Sequence, residues 1–134
     1  MTRFDSLSVM FLEDEFLIAL DGEGMLNSMG VKHVQVVSTL PAAAEFAEKG
    51  DVDVAILDLN INGEMSWGIA DILHRRGIPI VFASGYELRD RIDSEIGVFL
   101  KKPYTPESLK EALEAALAKH IIGPPPSNQI GRSP

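Results

Sequence analysis

Short apolar runs and longer amphipathic stretches alternate along the chain. Leu7 to Leu12 (LSVMFL) is almost continuously apolar, the pattern of a buried strand, and Val54 to Leu57 (VAIL), Ile78 to Ala83 (IPIVFA) and Val98 to Leu100 (VFL) are further short apolar, strand-like runs. His33 to Val37 (HVQVV) alternates instead, as a strand with unequal faces does. These make five strands. Between the first two, EFLIALDGEGMLNSMG spaces Ile18, Gly22, Met25 and Met29 at intervals of three and four, which predicts one buried helical face that ends at Gly30. Gly22 and Gly24 sit inside that helix at a cost of about 1 kcal/mol each relative to alanine.

Three further helices carry clear punctuation. TLPAAAEFAEKG has Thr39 as a cap, an early Pro41 and a closing Gly50. SWGIADILHRRG starts at Ser66, places Arg75 and Arg76 where cations favour a helix C-terminus, and stops at Gly77. In TPESLKEALEAALAKH, Thr105 caps, Pro106 takes the first helical position, and Leu109, Leu113, Ala116 and Leu117 form a buried stripe. Between the fourth and fifth strands, YELRDRIDSEIG is a poor amphipathic helix and is expected to be short. Apolar strands that alternate with helices pair in parallel, because each helix returns the chain across one face of the sheet. The expected fold is α/β, a doubly wound five-stranded parallel sheet with helices on both faces. Residues 1–122 are expected to form this one domain. GPPPSNQIGRSP, at 123–134, lacks periodicity and is expected to be a disordered proline-rich tail.

Composition narrows the chemistry. The 134 residues, 46% of them hydrophobic, suffice for one domain with a real core. Without cysteine there is no disulfide, thiolate metal site or cysteine nucleophile. The apolar run near the N-terminus breaks on Glu13-Asp14-Glu15, unlike a signal peptide, and no run reaches the length that spans a bilayer. A cytoplasmic protein without membrane contact is expected. A net charge of −8 argues against nucleic acid as a partner, since binding the phosphate backbone requires a basic face.

Ligands of doubly wound sheets sit outside the carboxyl ends of the strands, at the switch point of strand order. There the first strand ends in Glu13 and Asp14, the third in Asp58, the fourth in Ser84 and the fifth in Lys101 and Lys102. Singly, each has a plain structural explanation, Asp58 as the start of an Asx turn among them. Together they place three acids, a hydroxyl and an ammonium on one edge of one sheet. Two carboxylates about 5 Å apart repel by roughly 3 kcal/mol at an effective dielectric near 20, so a cation belongs among them. Hard oxygen ligands without imidazole or thiolate select Mg2+, or Mn2+, over zinc and copper. Magnesium shares its shell with phosphate oxygens, which makes Asp58 the natural phosphoryl acceptor, with Ser84, Lys102 and the metal taking one oxygen each.

The blocks VMFLEDE, VAILDLNINGE, IVFASGY and VFLKKPYTPESL resemble, in order, the four signature blocks of the receiver domain of two-component response regulators. The match spans Leu7 to about Lys119, and FASGY is similar to stand-alone receivers associated with alphaproteobacterial kinases. The resemblance implies Asp58 as phosphoacceptor and Glu13, Asp14, Asp58 and Asn60 as the metal site. Asp14 is the direct ligand, and Asn60 lends its peptide carbonyl and a side chain that tunes phosphoaspartate hydrolysis. It further implies catalytic roles for Ser84 and Lys102, Ser84 and Phe99 as the switch pair, and a cis Lys102–Pro103 bond. The implied partners are a sensor histidine kinase or histidine phosphotransfer protein and a downstream protein, in a phosphorelay role and not that of an enzyme. Glu13 stands where aspartate is more frequent, so its longer arm implies contact through water. Phe99 has no hydroxyl, and only fourteen residues separate it from Ser84.

Other readings are weaker. A haloacid dehalogenase phosphatase places its nucleophile in a D-x-D motif on the first strand, and here the order is reversed. A flavin mononucleotide site needs a Ser/Thr/Gly-rich loop where this chain has EDEF. A receiver-like scaffold that binds partners without phosphorylation is the main alternative. Trp67 is read as a packing aromatic, His33, His74 and His120 as surface or structural residues, and the C-terminal helix face as solvated charge pairs.

Overall fold

A computed structural model describes residues 4–85 and 96–121. The short helix expected within YELRDRIDSEIG and the proline-rich tail lie outside the described residues, apart from Ile96 and Gly97. In chain order the elements are β1 (Ser8–Leu12), α1 (Phe16–Ser28), β2 (His33–Val37), α2 (Leu40–Lys49), β3 (Val54–Asp58), β4 (Asn60–Ile61), β5 (Glu64–Met65), α3 (Trp67–Arg75), β6 (Ile80–Ser84), β7 (Val98–Lys101) and α4 (Pro106–Ile121). Five strands form one sheet in the order β2-β1-β3-β6-β7, with every pairing parallel. The direction of winding reverses between β1 and β3, which makes their carboxyl ends the crevice of a doubly wound sheet.

Alternation along the strands divides the core into two layers. Met10, Leu12, Leu57, Ile80 and Phe82 face Ala43 and Ala47 of α2 and Ile69 and Leu73 of α3. Val9, Phe11, Ile56 and Val81 face Leu26 of α1 and Leu109 and Leu113 of α4. β1, β3 and β6 are buried on both faces, which is why their sequences read as continuous apolar runs. β2 lies at the edge, and its outward residues account for its alternation. Trp67 packs on Phe82, ring centroids 5.9 Å apart, as a packing aromatic.

The helix ends follow their punctuation unevenly. Thr39 Oγ1 accepts from the Ala42 N–H at 3.3 Å, and Thr105 Oγ1 accepts from the Ser108 N–H at 3.0 Å, so both threonines satisfy an otherwise orphaned donor. Ser66 does not cap α3 with its side chain; its hydroxyl is used elsewhere. Arg76 reaches across to α2, donating to the carbonyls of Ala47 and, at 3.1 Å, Gly50, and so caps the neighbouring helix in place of its own.

Helix α1 departs most from its pattern. Its buried residues are Ala19, Gly22 and Leu26, whereas Ile18, Met25 and Met29 flank that stripe half-buried. The predicted face is therefore rotated by about one residue. Apolar side chains surround this helix, so periodicity alone does not select the face. A Cβ on Gly22 would lie 2.5 Å from the Phe11 ring, but one on Gly24 would meet nothing within 4 Å. Only Gly22 brings α1 close to the sheet.

Candidate functional site

β1 and β3 are adjacent and in register from Val9 with Val54 to Leu12 with Leu57, so both strands end at one level. Parallel pairing thereby sets Glu13 and Asp14 beside Asp58. Oxygens of all three carboxylates lie within 4.8 Å of one another. Lys102 arrives from the end of β7, where its N–H donates to the Ser84 carbonyl at 2.8 Å and the Lys102–Pro103 peptide is cis, as the resemblance implies. Its Nζ donates to Glu13 Oε1 at 3.1 Å and to Asp58 Oδ2 at 3.0 Å.

Glu13 is almost fully buried. Burial pushes its carboxyl up to about 7; the Glu15 N–H that donates to Oε2 and the Lys102 charge oppose the rise, and the Asp58 charge adds to it. Burial pulls the Lys102 ammonium down, but its bond to Asp58 and the charges of Asp58 and Glu13 outweigh this and hold it above the ordinary lysine value. Nearby, the Tyr104 hydroxyl is buried with no hydrogen-bond partner among the described residues. Burial, then the charges of Glu13, Asp58 and Asp21, push this phenol well up.

The opposite wall is a hairpin. β4 and β5 pair antiparallel, Asn60 with Met65 and Ile61 with Glu64, and the turn residues Asn62 and Gly63 have φ of 52° and 89°. Positive φ at both central residues of a two-residue loop is the mark of a type I′ turn, and Asn-Gly is its commonest sequence. Ile61 is buried in the α2/α3 layer and anchors the hairpin. The Asn62 N–H donates to Asp14 Oδ2 at 2.8 Å, and the Gly63 N–H donates to Asn60 Oδ1 at 3.0 Å. The Asn60 N–H donates to Asp58 Oδ1 at 3.2 Å, the i to i+2 contact of an Asx turn. The structural reading of Asp58 and its place in a charged pocket therefore hold together. Ser66 is fully buried, and its hydroxyl donates to the Asp58 peptide carbonyl at 2.8 Å.

Ser84 is buried at the end of β6, directly opposite Lys101 of β7. Phe99 pairs with Phe82 and packs in the α2/α3 layer. Two residues beyond Phe82, Ser84 shares that face of the sheet with Phe99. Glu13, Asp14, Asp58 and Lys102 thus come together in one cluster, with Asn60 on its hairpin wall and Ser84 on the next strand.

The donor set suits magnesium. Three carboxylates offer oxygens within 4.8 Å of one another, and hard oxygen donors without imidazole or thiolate are those that Mg2+ takes. Three residues of the hairpin wall, Ser66, Asn62 and Gly63, had no functional reading from sequence. Ser66 starts α3 as expected, and nothing local tells that its hydroxyl turns to the Asp58 carbonyl instead of capping the helix. The Asn62-Gly63 dipeptide carried an available turn signal, but nothing local connects that turn with Asp14, 48 residues earlier.

Comparison with known proteins bears on the fold and the family. No family model and no curated protein matches the chain. Among solved structures, SdrG from Sphingomonas melonis Fr1 is 38% identical at a TM-score of 0.71, over 83% of this chain and 96% of that one. SdrG attributed to Pseudomonas melonis Fr1, in a BeF3-activated conformation, is 35% identical at a TM-score of 0.69, over 87% and 99%. A response regulator receiver protein from Sinorhizobium medicae WSM419 shares the fold at 24% identity and a TM-score of 0.76, over 87% and 98%. Parallel topology, the acidic cluster at its switch point and a relative 38% identical matched over nearly its whole length agree: the chain belongs to the receiver domain family of response regulators.

Proposed function

We propose that Asp58 accepts a phosphoryl group from a phosphohistidine on a sensor kinase or phosphotransfer protein, and that the chain signals by phosphorylation-dependent protein binding or phosphate shuttling. The observation that carries this reading is the Lys102 ammonium at 3.0 Å from Asp58 Oδ2, inside a cluster of three carboxylates. An Asp58 oxygen attacks phosphorus, the P–N bond breaks, and the leaving imidazole takes its electron pair and then a proton from water. Lys102 lowers the repulsion between the incoming phosphoryl oxygens and the pocket. Ser84 would donate to a second oxygen. Asp14 and Asp58 would hold Mg2+ directly, with Glu13 through water and the Asn60 peptide carbonyl completing the shell. Bound there, the ion would offset phosphoryl charge.

Phosphorylation adds about −1.5 to −2 charges at Asp58. Ser84 is drawn toward them and Phe99 moves into the space it leaves, a packing change on the face they share. Exposed apolar residues at the start of α1, Phe16 (75%), Leu17 (74%) and Leu20 (55%), follow the acidic run Glu13 to Glu15 and offer the phosphodonor protein a surface beside the pocket. Among the described residues no helix is long and apolar enough to cross a membrane.

Intact-mass measurement with Mg2+ and a small phosphodonor such as acetyl phosphate tests the assignment. One phosphoryl group is expected on the wild type and none on Asp58→Asn. No gain on the wild type, or an equal gain on the variant, refutes it and favours the non-phosphorylated scaffold.

A further inference from the structure

We infer that the Asn62-Gly63 turn is a positioning device for the pocket, orienting the Asp14 carboxylate through the Asn62 peptide N–H; the inference rests on the proposed Mg2+ site. Asp14 follows β1 on a partly exposed segment, where an aspartate side chain is free to rotate toward solvent. A single backbone amide, 48 residues away in sequence and 2.8 Å from Oδ2, meets it. A carboxylate has about four lone-pair sites, so one amide leaves room for a cation while removing rotational freedom that binding would otherwise cost.

The amide is itself held in place. Ile61 is buried in the core, the Ser66 N–H returns to the Leu59 carbonyl at 2.9 Å, and the Leu59 N–H donates to Ala83 of β6 at 3.1 Å. Between these roots the turn needs positive φ at two successive residues, which Asn and Gly tolerate and a β-branched residue does not. The same turn captures Asn60 Oδ1 through the Gly63 N–H, holding that side chain to the hairpin. Asp14 is thus oriented by backbone geometry, and the Asn62 side chain takes no part in it.

Calorimetric titration of the full chain with MgCl2 tests this. Gly63→Val is expected to raise the Mg2+ dissociation constant about tenfold, whereas Asn62→Gly, which accepts positive φ and keeps the amide, stays within about twofold of wild type. Wild-type affinity in Gly63→Val, or equal weakening in both variants, overturns the inference alone. A wild type that binds no Mg2+ overturns the metal site and the inference with it. Should Gly63→Val fail to fold, hydrogen exchange at the Asn62 amide decides: at least tenfold faster exchange in Asp14→Ala than in wild type is expected, and equal rates overturn it.

Discussion

The two walls of the pocket hold their carboxylates by different physics. On the lysine wall, Glu13 and Asp58 share one ammonium at 3.1 and 3.0 Å, with Glu13 buried and its carboxyl raised to about 7. On the hairpin wall, Asp14 and the Asp58 peptide are held by neutral groups, the Asn62 amide and the Ser66 hydroxyl. Charge held by charge responds to pH and to any arriving cation or anion; charge held by backbone keeps its geometry while the other wall changes. On the proposed function, a pocket that takes up a metal and a phosphoryl group would gain from having one wall of each kind.

The largest effect is expected at Lys102. Lys102→Met leaves two carboxylates of the buried cluster without their cation, and unfolding in denaturant at pH 8 without Mg2+ should show a loss of about 4 kcal/mol. A loss below about 1 kcal/mol would mean that the lysine wall is not held by charge. The next effect is the pH dependence of Glu13. Its carboxyl is raised from 4.5 to about 7 on folding, so the folded chain binds the extra proton and stability falls as pH rises from 4.5 through 7. The drop amounts to about 3 kcal/mol, is complete above 7, and is absent from Glu13→Gln. Equal pH profiles for the two proteins would break the assignment. The smallest effect belongs to the hairpin wall. Ser66→Ala should cost about 1–2 kcal/mol for the carbonyl it leaves unpaired, equally at pH 5 and pH 8. A cost that changes with pH would show the walls to be coupled.

Much of this was legible in the residues, for identifiable reasons. Continuous apolar runs at Leu7 to Leu12 and Val54 to Leu57 name strands covered on both faces, and Thr39, Pro106 and Gly77 mark helix ends by chemistry that acts within four residues. Strand ends could be compared because parallel topology puts them on one edge, so Asp58, Asp14 and Lys102 emerged as a group. Helix α1 was harder, because apolar residues surround it and only the fit of Gly22 against Phe11 selects its buried face. Ser66 does start α3, as its place in the sequence predicts, but its hydroxyl turns to the Asp58 carbonyl instead of capping the helix, and a cap and a buried hydroxyl bond use the same residue at the same helix start.

By itself, the sequence determined the alternation of strands and helices, the lack of thiol chemistry and the identity of the acids, hydroxyl and lysine on one edge. Each of these follows from local periodicity or residue type. Only the tertiary structure decided which carboxylates Lys102 grips, that the Asn62 amide meets Asp14, and that Ser66 turns to the Asp58 carbonyl. Those contacts join residues that the chain separates and packing brings together, at distances where a shift of one ångström makes or breaks a hydrogen bond.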